Sequence, residues 1–362
     1  MSIHERVLSL IHSPQPERFD SISVDVFRYQ YVSVPAYRRY CESLGIRADA
    51  VSLADEIPMV STVAFKYADL HAPGAGDDAH ALTFLTSGTT RGRERRGRHV
   101  IGHPPIYRAS AIAHLRMMMF PDGEPMRMLA IHPTANRMPE SSLSTMISWC
   151  IEEFGQGPAL CAADRAGIDT AAAIGFLNMA AADHAPVCIL GTTAAYAAIF
   201  EQLAGKAIAL PRGSRMMDTG GAKGQVVPLT AAQVLELAQA SLGIDPDYVI
   251  NEYGMTELCS QLYDATRFNS GTAVAEGERV KVAPPWMRPG AIDPVTLRRL
   301  PDGNRGLLGF IDLANVSSVS AILTEDLGVV EGQRVRIMGR ASAGGPRGCA
   351  LSIAQFEQAA HA

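Results

Sequence analysis

Thr86-Ser87-Gly88-Thr89-Thr90-Arg91-Gly92 follows the apolar run Ala81-Leu82-Thr83-Phe84-Leu85. The run reads as a strand, and the residues after it are small, hydroxylated and rich in glycine. Such a turn suits phosphate, because glycine lets the backbone come close, amide N–H groups point inward and hydroxyls add donors. Far downstream, Asn251-Glu252-Tyr253-Gly254-Met255-Thr256-Glu257 ends another strand-like run that begins at Asp247.

Between these segments, strand-like and helix-like stretches alternate. Residues 105–119 read as a Met-rich helix, with Met117-Met118-Met119 as packing. Met128-Leu129-Ala130-Ile131 reads as a strand, with Pro133 and a helix from about Ser141 after it. Val187 to Gly191 is a buried strand followed by a helix, and Arg215 to Thr219 is a strand ending in Gly220-Gly221. Residues 230–242 are helical. This alternation indicates α/β layering. Residues 1–70 read as mostly helical, with Phe27, Tyr31, Val34, Tyr37 and Tyr40 near helical spacing and Pro35 as a break. After residue 270 the texture becomes strand and turn, at Val280 to Val282, Gly306 to Asp312, Ala321 to Gly328 and Arg334 to Gly339. The expected organisation is therefore an α/β core over 1–270, helical to about 75, then a β-rich subdomain over 271–340. A tail over 341–362 carries Cys349 and enters a helix with Ser352 and Gln355 at capping-box spacing.

The bulk numbers fit a globular chain. Its 362 residues suffice for a large core, 47% are hydrophobic and 19% charged, and the mean hydropathy is +0.06. A net charge of −5 argues against a broad nucleic-acid footprint. Cys41, Cys150, Cys161, Cys188, Cys259 and Cys349 form no CxxC pair and no zinc-like spacing, so they read as reduced thiols of a cytoplasmic protein. Cys41, Cys150, Cys161 and Cys188 sit in apolar contexts and read as core, and Cys259 as a residue lining the site. No basic-then-apolar leader opens the chain and no apolar run is long enough to span a bilayer.

The set of segments resembles the adenylate-forming superfamily of acyl-CoA synthetases, peptide-synthetase adenylation domains and luciferases. Within it the chain is most similar to the phenylacetate-CoA ligases and the acyl-protein synthetases that serve bacterial luciferase. The matching pieces are Thr86 to Gly92, Thr219-Gly220-Gly221-Ala222-Lys223-Gly224, Tyr253-Gly254-Met255-Thr256-Glu257, Thr324-Glu325-Asp326 and Arg334 to Gly339, in the superfamily's order. Val34 to Tyr40, Ile57 to Val60 and Pro139 to Ser144 resemble the acyl-protein synthetase branch. The resemblance implies a layered αβαβα large domain and chemistry on an activated carboxyl group. It implies that Thr86, Ser87, Gly88, Thr89 and Thr90 form the phosphate loop. Gly220, Gly221 and Tyr253-Gly254 would line adenine, Thr256 would meet the α-phosphate, and Glu257 would hold Mg²⁺. Asp326 would take the ribose hydroxyls, with Arg340 near the ribose or hinge. His99 and His132 would sit near the acyl group, or be structural.

The chain also departs from the superfamily. The loop usually ends Gly-x-Pro-Lys, but here Arg91, Arg93, Arg95, Arg96 and Arg98 follow, as a solvated basic loop or as a phosphate dock. Glu325 replaces the usual glycine of Thr-Gly-Asp and would crowd the ribose. No separate small C-terminal domain follows Arg340, as in the acyl-protein synthetase branch, whose acyl-accepting cysteine lies where Cys349 does. Arg347 and a following helix would favour its thiolate.

The expected activity is acyl transfer through a Cys349 thioester, moving an activated carboxylic acid from acyl-CoA or an acyl-adenylate onto an acyl carrier protein or partner thiol. The alternative is ATP- and Mg²⁺-dependent adenylation followed by acyl-Cys formation. A third reading is a non-catalytic binding module. No tightly bound cofactor, nucleic-acid partner or membrane span is expected.

Overall fold

The computed structural model describes residues 1–76, 79–86, 96–220, 229–271 and 279–341. Among them the helices are α1 (Ile3–His12), α2 (Phe19–Ser33), α3 (Pro35–Ser43), α4 (Pro104–Met119) and α5 (Ser142–Phe154). Then come α6 (Thr170–Ala182), α7 (Thr193–Leu203), α8 (Ala231–Leu242) and the short α9 (Arg267–Ser270). The strands begin with β1 (Val60–Ser61), β2 (Leu82–Leu85), β3 (Arg98–Ile101), β4 (Met126–Ala130) and β5 (Gly155–Cys161). They continue with β6 (Ala163–Asp164), β7 (Gly167–Ile168), β8 (Val187–Thr192), β9 (Arg215–Thr219), β10 (Val249–Tyr253) and β11 (Leu262–Asp264). The last are β12 (Lys281–Val282), β13 (Met287–Ile292), β14 (Arg305–Asp312), β15 (Ala321–Glu331) and β16 (Arg334–Arg340). The fold is mixed α/β.

The chain forms two compact units. The first comprises Met1–Ala113, Met255–Gln261 and Val280–Ala362, and the second His114–Gly254 and Leu262–Arg279. This division cuts across consecutive boundaries at 270 and 340. The cause is long-range strand pairing, because β1 joins β15 in parallel, with Val60 opposite Ile322 and Ser61 opposite Leu323.

In the first unit the sheet order is β13-β14-β15-β16-β12. β15 takes β1 on its first half and β16 on its second, where Asp326 faces Arg340. β2 and β3 form a separate antiparallel hairpin, Leu82 opposite Ile101 and Leu85 opposite Arg98. The segment read as a strand entering a loop is thus one arm of a hairpin. Residues 87–95, at its tip, lie outside the described residues. In the second unit the order is β11-β10-β9-β8-β4-β5, with β10, β9, β8, β4 and β5 all parallel and β11 antiparallel at the edge. β4, β8, β9 and β10 are largely buried because helices cover them, whereas the edge strand β5 is mostly exposed. Leu129, Ile189, Met216 and Val249 pack with Phe176, Leu177, Ile199 and Val234. Each following helix starts on a hydroxyl or carboxylate cap: Ser141, Asp169, Thr192 and Thr230 accept from main-chain N–H groups of the first turn. Gly243 ends α8 at φ 67°, the left-handed cap conformation that glycine tolerates.

Met255–Gln261, the chain's excursion back into the first unit, has no regular secondary structure, so side chains must satisfy its backbone. The buried Asp312, at the end of β14, accepts from the Cys259 and Ser260 N–H groups (2.9 and 2.8 Å) and from Ser260 Oγ (2.7 Å). It also caps its own following turn through Ala314 N–H (3.0 Å). Trp286 Nε1–H donates to Ser110 Oγ and Ser260 Oγ (2.8 and 3.1 Å). Removing one carboxylate strands several buried donors. Asp312→Ala is expected to cost about 3 kcal/mol of stability. Denaturant unfolding checks this, and a loss below about 0.5 kcal/mol, the range of neutral surface changes, would show that the carboxylate carries no tether.

Candidate active site

The hairpin root is closed by local bonds. Thr86 N–H donates to the Gly97 carbonyl (2.8 Å), and Gly97 N–H donates to Thr86 Oγ1 (2.8 Å). A Cβ on Gly97 would come within 3.0 Å of the Thr86 side chain and 3.2 Å of the Phe65 carbonyl carbon, so the close approach needs glycine. Thr86 is therefore buried and spends its hydroxyl on the hairpin itself. Arg96 donates to the carbonyls of Thr86 (2.8 Å) and Leu85 (3.2 Å), and Arg98 pairs with Asp69 (2.9 Å). These two arginines brace the hairpin. Ser87, Gly88, Thr89 and Thr90, with Arg91, Arg93 and Arg95, lie outside the described residues, as do Gly221 and Cys349.

His99, on β3, is 1% exposed. Its Nδ1–H donates to the Thr256 carbonyl (2.7 Å), which leaves Nε2 buried with no hydrogen-bond partner among the described residues. Phe65 packs edge-on against its ring at 5.3 Å. His99 thus orients the Thr256–Glu257 segment. Burial pushes it down to about 4, opposed by the bond to Thr256 and assisted by His71. Asn315 Nδ2–H donates to the Glu257 carbonyl (2.8 Å), so Glu257 is flanked by two anchored peptides. Burial pushes the Glu257 carboxyl up to about 7. Its own main-chain N–H, Lys66 and Arg340 pull it down, and Glu325 adds to the rise.

Asp326 and Arg340 meet as cross-strand partners, with Arg340 Nε 3.6 Å from Asp326 Oδ1. Thr324 Oγ1 accepts from the Asp326 N–H (3.1 Å) and donates to the Leu308 carbonyl (2.8 Å), fixing the bend that presents Asp326. Glu325 between them is exposed. Thr86, His99, Thr256, Glu257, Asp326 and Arg340 all belong to the first unit.

His132, Gly220, Tyr253 and Gly254 belong to the second unit, at the C-terminal ends of β4, β9 and β10. Open α/β sheets bind ligands at such ends. Gly220 is exposed, and a Cβ there would meet nothing within 4 Å. His132 is half-buried, its Nε2 has no hydrogen-bond partner among the described residues, and burial pushes it down to about 4. The same strand ends hold a polar cluster that the motifs did not single out. Asp218 accepts from Thr193 Oγ1 (2.7 Å) and Asn251 Nδ2 (2.9 Å), and Thr219 Oγ1 donates to Glu252. Its signal in the sequence is an acid closing each of two apolar strands. Cys41, Cys150, Cys188 and Cys259 are buried thiols. Cys161 departs from the core reading: it is half-buried and lines an open recess of about 420 Å³ with Arg137, Asp164 and Ile168. It sits at the half-buried C-terminal end of β5, the outermost strand of its sheet.

No group of three or more His, Cys, Asp or Glu that could hold a metal ion occurs among the described residues. One carboxylate, Glu257, beside Lys66 and Arg340 fits a magnesium ion that arrives with phosphates and is shared with them, rather than a metal caged by the protein alone.

The architecture is that of the adenylate-forming enzymes. The structure aligns with crystal structures of 2-hydroxyisobutyryl-CoA ligase. The open conformation, in complex with 2-HIB-AMP and CoA, gives a TM-score of 0.64 at 17% identity over 91% of this chain and 76% of that one. The complex in the thioesterification state gives 0.64 at 18% identity over 91% and 69%. At this identity the likeness concerns the fold. The chain belongs to the acyl-protein synthetase, LuxE family, whose profile matches residues 3–357. It is 26% identical over 357 residues to the long-chain-fatty-acid–luciferin-component ligase of Aliivibrio fischeri, covering 95% of this chain and 90% of that protein. The Vibrio harveyi protein of the same name is 24% identical over 340 residues, 91% and 85% of the two chains. The chain is thus an enzyme of the acyl-protein synthetase family, built on the fold of those ligases. No helix among the described residues is long and apolar enough to cross a membrane.

The histidines set a pH limit on the fold. An unfolded histidine protonates near 6.5, whereas His99 in the fold stays neutral to about 4. The unfolded state therefore gains protons first as the pH falls. Stability present above 6.5 is lost on the way to 4, by about 3 kcal/mol for a shift of this size. His132 contributes in the same direction. His99→Asn keeps a donor for Thr256 but cannot protonate. Denaturant midpoints between pH 7 and 4 should fall less steeply in the variant, and identical slopes would remove His99 as the responsible group.

Proposed function

We propose that this protein is an ATP-dependent acyl-protein synthetase that activates a fatty acid and holds it as a thioester on Cys349. The observation that carries the reading is the anchored Thr256–Glu257 segment. His99, Asn315 and Asp312 hold the main chain around Glu257, whose half-buried carboxylate feels the charges of Lys66 and Arg340. A carboxylate beside phosphate is useful only with a hard cation between them. In the first step the acid's carboxylate oxygen attacks the α-phosphorus of ATP, and pyrophosphate leaves. In the second, the Cys349 thiolate adds to the acyl carbonyl carbon, AMP leaves, and a thioester remains. Glu257 would hold the magnesium ion, which screens the phosphate charge when bound. Asp326 would accept from the ribose hydroxyls, with Arg340 fixing its carboxylate. His99 is then a positioning residue, not one that touches the acyl group. The fatty-acid class rests on the names of the two ligases of the family. A carrier protein or other thiol would take the acyl group from Cys349 in turn, and the cytoplasm is the compartment that keeps that cysteine reduced.

The expected result is a single acyl adduct by intact-mass spectrometry when the protein meets a long-chain fatty acid, ATP and Mg²⁺. The adduct should be released by hydroxylamine and absent in Cys349→Ala. Glu257→Gln should slow its formation at least tenfold. An adduct from acyl-CoA without ATP, equally dependent on Cys349, would replace this reading with an acyltransferase. No adduct under either condition would refute the thioester mechanism.

A further inference from the structure

The chain holds four lysines, Lys66, Lys206, Lys223 and Lys281, among its 32 Lys and Arg residues. Lys281 is buried on β12, Lys206 is exposed after α7, and Lys223 lies outside the described residues. Lys66 is different. It is half-buried, and no ion pair within 4 Å or hydrogen bond of its ammonium is found among the described residues. Among side chains, its charge is the strongest influence that lowers Glu257, ahead of Arg340.

The position is built rather than incidental. Lys66 closes the short 3₁₀ helix Thr62–Lys66, which Ser61 caps by accepting from Val63 N–H (3.3 Å). Directly before it, β1 pairs with Ile322 and Leu323 of β15, next to Thr324-Glu325-Asp326. Phe65, its neighbour, packs on His99 (5.3 Å) and against the hairpin root at Gly97. The helix is therefore wedged between the root of the phosphate-type loop, the peptide that His99 fixes ahead of Glu257, and the strand carrying Asp326.

The loop itself carries no lysine, and its two described arginines are already committed, Arg96 to main-chain carbonyls and Arg98 to Asp69. We infer that Lys66 binds the phosphates of the nucleotide, taking from the N-terminal segment the charge role that a loop lysine would fill. An ammonium is a compact, strongly hydrated point charge with three rotatable donors, which suits a triphosphate whose oxygens shift as pyrophosphate departs. The inference rests on the nucleotide reading of the site given above.

The test compares ATP, supplied with Mg²⁺, with adenosine, by calorimetric titration of the full chain in the absence of fatty acid. Lys66→Met, which keeps the stem and removes the charge, should raise the Kd for ATP by about ten- to a hundredfold. It should leave the Kd for adenosine and the Tm unchanged, and Lys66→Arg should recover part of the ATP affinity. A role limited to balancing Glu257 would move the Tm and shift adenosine and ATP together, which overturns the inference. Unchanged ATP binding in Lys66→Met also overturns it but leaves the nucleotide reading standing. A wild-type chain that binds neither ligand removes both. Should Lys66→Met fail to fold, Lys66→Gln provides the same comparison.

Discussion

Everything proposed for this protein depends on how seven residues without secondary structure, Met255–Gln261, are held. A buried irregular segment must find partners for every main-chain N–H and C=O, since an unpaired one costs as much as a lost hydrogen bond. Three side chains from three different elements supply four of them. His99 donates to the Thr256 carbonyl, Asn315 donates to the Glu257 carbonyl, and Asp312 accepts from Cys259 and Ser260. Burial pushes Asp312 up to about 6 against the downward pull of the Ser260 hydroxyl and three main-chain donors. A buried carboxylate is affordable only on such terms. With the carbonyls of Thr256 and Glu257 both fixed, little of the segment's freedom remains, and the Glu257 side chain inherits that order.

The same economy explains the basic residues. Arginine is this chain's structural cation. Arg215, 1% exposed, binds Asp122 through two nitrogens and donates to the Met119 carbonyl, with aromatic rings of Phe120 and Phe268 around it. Arg288 clasps Asp20 in the same forked manner, and Arg165 clasps Glu140. The planar guanidinium suits fixed, two-point contacts. Arg96, on the hairpin root, follows that pattern with two carbonyls. The basic run from Arg91 to Arg98 read in sequence as a solvated loop or as a phosphate dock. In the fold, its two described members are braces.

How much was legible follows from the range of each interaction. The parallel strands and their helices were visible because each carries its signal locally: apolar runs at β4, β8, β9 and β10, then a cap such as Thr230. β13 was hidden, since Met287-Arg288-Pro289-Gly290-Ala291-Ile292 carries a proline and a glycine, and edge strands alone tolerate such residues. β5 was hidden for a similar reason, its Gly155-Gln156-Gly157-Pro158 opening an edge strand without β-branched residues. Arg98 was read as the end of a basic loop and His99 as a residue near the acyl group or a structural one, but both stand on the returning arm of the hairpin. The segments Thr86, Tyr253 to Glu257 and Asp326 were legible through family resemblance. What spacing could not reveal was pairing across the chain, such as β1 on β15, or Asp312 holding Ser260, which lies 52 residues earlier.

That pairing bears on the charge of the site. β1 brings Lys66 toward Glu257, and the β15–β16 register sets Arg340 opposite Asp326. Two cations thus stand among three carboxylates, Glu257, Glu325 and Asp326. A fully ionised set is negative and would repel a triphosphate. The conflict is eased in two ways: Glu257 is pushed up to about 7 by burial, so much of its charge is withheld at neutral pH, and a divalent cation would reverse the balance on arrival. On the proposed reading, a site of this sign would disfavour the free nucleotide and favour its magnesium complex, a preference that follows from the residues' charges and burial.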